Sequence, residues 1–107
     1  MSLEITVEKD LLARFGKRWV SAQSLDSFKD VFVENTLSSF SLSGCFVGDG
    51  KEYACFIEYS GYLCGCIDNQ IRKVICKHVL ALTLLAFKKN MISEFELLAL
   101  LGGDKKK

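Results

Sequence analysis

Val7, Leu11, Phe15 and Trp19 recur every fourth residue, with Leu12 beside them, and charged side chains fill much of the space between. One apolar stripe at helical spacing predicts an amphipathic helix over residues 6 to about 20, with Thr6 as its cap. Glu8 and Asp10 near its start and Lys17 and Arg18 near its end suit the helix dipole. From Val31 the pattern changes to aromatic and β-branched residues that fill a pleated surface. Residues 31–33 (VFV), 39–47 (SFSLSGCFV) and 52–60 (EYACFIEYS) read as three strands. The GDG at 48–50 predicts the hairpin turn between the last two, because glycine enters positive φ without steric cost. Residues 63–75 follow neither period, and from Cys76 to about Asn90 the spacing is helical again. Ser93 and Glu96 form a capping box that opens a short helix to Leu101, stopped by Gly102 and Gly103.

With 107 residues, half of them hydrophobic, the chain can bury a core without disulfide staples, and residues 1–107 read as one domain. No internal repeat or low-complexity linker interrupts it, and the basic tail at 104–107 (DKKK) is expected to be disordered. A net charge of +1 is too small for whole-molecule attraction to nucleic acid, so any such role must come from local clusters. The start, MSLE, lacks the basic-then-apolar layout of a secretory signal, which points to an intracellular protein: cytoplasmic in a prokaryote, nuclear in a eukaryote. The strongly apolar run 79–87 is less than half of the roughly 20 residues a membrane-spanning helix needs, so no membrane association is expected. Five cysteines, an odd number, argue against a disulfide framework in a reducing compartment and leave thiols available for a metal. Cys45 and Cys55 lie on successive strands as candidate cross-strand neighbours; core packing is the expected role, with a disulfide as the alternative in an oxidising or hyperthermophilic setting.

The aperiodic stretch holds the chemistry. LCGCIDNQIRKVICKHVLAL (63–82) contains Cys64, Cys66, Cys76 and the only histidine, His78. Three thiolates and one imidazole are a tetrahedral ligand set for structural zinc. Side chains two apart in an extended segment share a face, so Cys64 and Cys66 can aim at one ion. Two apart on a regular helix they diverge, which places Cys76 at the helix start with His78 in the first turn. A helix N-terminus there favours thiolate. Three thiolates around a dication leave a formal charge of −1, which Arg72, Lys73 and Lys77 are placed in sequence to offset. Inert buried cysteines and a Cys64–Cys66 redox pair are the competing readings. The paired spacing and the use of the only histidine favour one structural Zn2+.

The pattern Cys-x-Cys, gap, Cys-x-His at the head of an apolar helix resembles the SWIM-type zinc finger. The resemblance covers residues 40–87 and implies a β-β-α unit, with strands around Phe46 and Phe56 leading to the first cysteine pair. Ile67 stands where many members of that family have proline, which alters the exit from that pair. With Ala81 three residues after His78, the chain also resembles the small SWIM proteins of the Shu-complex family. That likeness implies a partner of the RecA-like recombinase paralogue kind and a role in DNA recombination or repair.

The expected architecture is α+β: an N-terminal helix, a three-stranded antiparallel β-meander, a zinc-binding β-β-α unit and a short C-terminal helix. Four protein ligands close a zinc shell, no phosphate-cradling glycine loop is present, and the histidine is already used, so no catalytic role and no small-molecule substrate are expected. HVLALTLLAF and FELLALL are apolar nearly all round, which means either core or a face for another chain; a protein partner or a homodimer is the expectation. DNA is the other candidate partner, directly bound in a transcription or mobile-element regulator. Arg72, Lys73, Lys77, Lys88 and Lys89 face only Asp68 between Cys64 and Asn90. Arg14, Lys17 and Arg18 form a second basic stripe beside Trp19, which could stack a base or belong to the core.

Overall fold

Gly16 breaks the N-terminal helix in two. In the computed structural model, which describes residues 4–37, 39–48, 50–72 and 74–102, α1 (Ile5–Phe15) ends there and α2 (Lys17–Ala22) begins. Gly16 has φ 59° and ψ −128°, a conformation that side-chain-bearing residues avoid, and its N–H bonds the Leu12 carbonyl at 2.7 Å. The expected single helix is thus corrected to a helix pair. The stripe itself holds: Leu11 and Trp19 are buried, and Val7 and Phe15 pack against the core, whereas Leu12 is exposed. The helix starts before Thr6, at Ile5, and the Glu4 side chain makes no capping bond.

The sheet has four strands, not three. β1 (Phe28–Asn35), β2 (Phe40–Gly48), β3 (Lys51–Glu58) and β4 (Gly61–Cys64) form an antiparallel meander in the order β1-β2-β3-β4. The added strand is short and carries one ligand of the cluster, Cys64, which pairs with Cys55 across the ladder. β1 begins at Phe28, and its register with β2 slips between Lys29 and Phe32, where Asp30 takes φ 57°. Expected positions 49 and 103–107, which hold the middle of the GDG turn, Gly103 and the basic tail, lie outside the described residues.

After β4 come α3 (Ile67–Arg72), α4 (Lys77–Lys88) and α5 (Glu94–Leu100). α4 touches every strand of the sheet as well as α2 and α5. That central position explains its apolar surface: His78 to Leu84, Ala86 and Phe87 are all buried, so this helix is core and not a face awaiting a partner. At Gly44 the helix comes so close to β2 that a Cβ there would lie 2.8 Å from Leu82 Cδ1. α5 opens with the expected capping box, Glu96 N–H to Ser93 Oγ at 3.1 Å and Ser93 N–H to Glu96 Oε1 at 2.8 Å. Leu97, Leu100 and Leu101 are buried and Phe95 is exposed. No helix among the described residues is long and apolar enough to cross a membrane.

Candidate metal centre

Each half of the cluster sits where an extended segment turns into a helix. Cys64 closes β4 and Cys66 directly precedes α3, whose Gln70 N–H bonds the Cys66 carbonyl at 3.1 Å. Cys76 is extended, with φ −83° and ψ 172°, and stands just before α4, placing His78 in the first turn as the spacing requires. All four residues are buried, and their ligand atoms lie within 4.8 Å of one another. The Nδ1 of His78 faces the sulfurs, 3.8 Å from Cys64 Sγ and 3.9 Å from Cys76 Sγ. Around a tetrahedral zinc with Zn–S near 2.3 Å and Zn–N near 2.0 Å, sulfur–nitrogen separations of about 3.5 Å and sulfur–sulfur separations of about 3.8 Å are expected, so a contraction of at most about 1.3 Å at the widest pair fits these residues to the ion.

The imidazole is held in place by aromatic neighbours. Phe46 on β2 and Tyr53 on β3 pack against it with ring centroids 4.7 and 5.0 Å away. Asn69 ties the two cysteine pairs together. Its Oδ1 accepts from the Cys64 N–H at 3.1 Å, and its Nδ2 donates to the Val74 carbonyl at 2.8 Å, so one buried amide spans from β4 to the approach of Cys76. Neither the aromatic pair nor Asn69 stands out in the sequence. Asparagine inside a metal loop reads as an ordinary turn residue, and only the fold brings its two partners to it.

Without the metal these sulfurs hold their protons. The hydrogen bond with Cys55 pushes the Cys64 thiol up to about 12, and the one with Cys64 pushes Cys76 up to about 12, with burial adding to both. Burial raises Cys66 as well. Zinc binding therefore displaces protons, and the thiolates it gathers carry the negative charge that nearby cations face.

Those cations form one wall system. A cleft of about 510 Å³ opens beside the cluster, lined by Lys17, Arg18, Arg72 and Lys77 together with Tyr53, Cys66, Ile67, Asp68 and His78. Two basic groups far apart in sequence thus meet at the metal. Asp68 takes Arg18 in a two-pronged contact at 2.7 and 3.0 Å and Arg72 at 2.9 Å, binding α2 to α3. The Arg18 guanidinium, ahead of Arg72, holds the Asp68 carboxyl far below the usual carboxylate range. Lys17 and Lys77 take part in no ion pair among the described residues.

Arg14 belongs elsewhere: it donates to the Leu101 carbonyl at 2.6 Å, at the end of α5, and does not line the cleft. Trp19 is buried and unavailable for base stacking. Lys73 lies outside the described residues. Cys45 and Cys55 are not paired with each other. Cys45 is opposite Ala54 and its sulfur lies 3.8 Å from a Glu52 oxygen, while Cys55 is opposite both Gly44 and Cys64 in its two ladders. All five cysteines are free thiols.

A buried, closed set of three cysteines and one histidine between a sheet edge and a helix start defines a zinc-binding module with one structural Zn2+. Residues 58–86 match the family model of the SWIM zinc finger, a segment that includes the whole ligand set. β2 and nearly all of β3 precede the matched segment, although Phe46 and Tyr53 from these strands pack the histidine. Neither the curated proteins nor the solved structures contain a match to this chain.

Proposed function

We propose that this chain is a non-catalytic interaction module in which a zinc-ordered scaffold presents a basic cleft to the phosphate backbone of DNA. The carrying observation is the meeting of Lys17 and Arg18 from α2, Arg72 from α3 and Lys77 from α4 at one cleft beside the metal ligands. Phosphate contacts need this kind of clustering, and among the described residues Lys17 and Lys77 have no acidic partner to displace. The closed shell supports a non-catalytic reading, since a catalytic zinc keeps a position for water. The resemblance to Shu-complex proteins supports the context: an accessory subunit in DNA recombination or repair, beside a RecA-like recombinase paralogue.

The test is DNA affinity against salt for the wild type and for Lys17→Glu with Lys77→Glu. Wild-type affinity should fall as salt rises, and the double variant should lose about 0.7–0.9 of slope per phosphate contact removed. Binding independent of salt, or a variant with the wild-type slope, contradicts the reading.

A second contact, to protein, is supported by a separate feature. Leu63 on β4 and Ile67 and Ile71 on α3 are 62%, 72% and 72% exposed, and the two isoleucines stand one helical turn apart. A recombinase-like protein or a second copy of the chain would cover them. Ile67→Glu with Ile71→Glu should abolish capture of that partner while leaving zinc content intact; unchanged capture removes this surface from the account.

A further inference from the structure

Cys55 is the buried sulfur that the zinc set leaves over. It lies on β3 at 2% exposure, directly opposite Cys64 in the β3–β4 ladder, with the two Sγ atoms 3.7 Å apart. We propose that Cys55 and Cys64 are joined as a disulfide when a hydroperoxide oxidises the site, withdrawing Cys64 from the metal and releasing the zinc. The inference rests on the zinc centre and not on the DNA-binding reading, so either can fail alone.

The backbone is already suitable. Opposed residues of an antiparallel pair have Cα atoms about 4.5–5.5 Å apart, inside the range of about 4.4–6.8 Å that disulfides span. Closing 3.7 Å to a bond of about 2.05 Å then asks for side-chain rotation. Cys45 cannot substitute, since it stands opposite Ala54 and its sulfur lies by Glu52. Access comes from two sides. β4 is a four-residue edge strand, the kind of element that opens locally at low cost, and the cleft reaches Cys66 and His78, whose Nδ1 is 3.8 Å from Cys64 Sγ.

The chemistry balances with hydrogen peroxide as the oxidant. The Cys64 thiolate attacks one peroxide oxygen, the O–O bond breaks, hydroxide leaves, and Cys64 becomes a sulfenic acid. The Cys55 sulfur then attacks that of Cys64: the S–S bond forms, the S–O bond breaks, and the departing hydroxide leaves with the Cys55 proton as water. Each sulfur is oxidised by one electron, and the peroxide takes both. Only Cys66, Cys76 and His78 then remain for the metal, and a thiol reductant reverses the change.

The experiment treats the zinc-loaded full chain with hydrogen peroxide, follows zinc release with a chromogenic chelator, and maps disulfides by mass spectrometry of unreduced peptides. The expected result is a peptide pair joined through Cys55 and Cys64, with zinc released and zinc binding recovered after thiol treatment. In Cys55→Ala, zinc loads as before, but oxidised Cys64 continues to sulfinic acid and recovery is lost; Cys45→Ala should behave as wild type. A main product joining Cys64 to Cys66 or Cys66 to Cys76, or full thiol recovery in Cys55→Ala, overturns the proposal. The wild-type map decides the matter even if the variant folds poorly.

Discussion

Cys64 and Cys76 hold protons that zinc must displace: the hydrogen bond with Cys55 pushes the Cys64 thiol up to about 12, the one with Cys64 pushes Cys76 up to about 12, and burial adds to both. The sign follows directly: the zinc-free form keeps the protons at neutral pH, so lowering the pH favours it over the metal-bound form. Zinc affinity, measured by chelator competition, should rise steeply between about pH 6 and 8, with protons released on binding; a flat profile contradicts the buried, protonated starting state. Asn69 acts at the same scale through position. Asn69→Ala leaves the Cys64 N–H and the Val74 carbonyl without their partner, and the zinc-loaded protein should lose about 1–3 kcal/mol of stability in denaturant titrations. The four ligands were legible in the sequence because their spacing encodes a local geometry. Asn69 was not, because its role depends on two backbone groups that are brought together only in the folded loop.

Among the elements, α2 and α3 are joined by Asp68 with Arg18, fifty positions apart in sequence. Burial patterns reveal apolar stripes but not which distant charges will meet, so the two basic clusters were visible in the sequence and their convergence was not. The Gly16 break was hidden for a related reason: Phe15 and Trp19 keep their helical spacing across it. β4 gives no strand signal in the sequence, because four residues between a turn and a metal loop are too few to display an alternation. Asp68 also sets an acid limit. Its folded-state pKa lies below the unfolded carboxylate value of about 3.9, so its contribution is fully present above that pH and is lost as pH falls through the folded value. Asp68→Asn should flatten the acid side of the stability profile followed by circular dichroism. An unchanged profile would mean that the clamp adds nothing to stability.

Across the whole molecule, the metal joins the end of β4 to the start of α4, the helix on which the sheet, α2 and α5 all pack. Zinc binding in small modules contributes roughly 10–16 kcal/mol of apparent folding free energy, a scale large enough to govern order around the cluster and the cleft beside it. Removing the metal with a chelator should therefore lower Tm and, if the cleft holds DNA as proposed, weaken that binding with it, while Cys45→Ala, which touches no ligand, should change neither. Whether four protein ligands close the zinc shell is decided by zinc-edge X-ray absorption on the metal-loaded chain. Three sulfurs near 2.3 Å and one nitrogen near 2.0 Å per zinc are expected, with one sulfur lost in Cys76→Ser. A shell containing a water oxygen in place of one of these four ligands would contradict that closure.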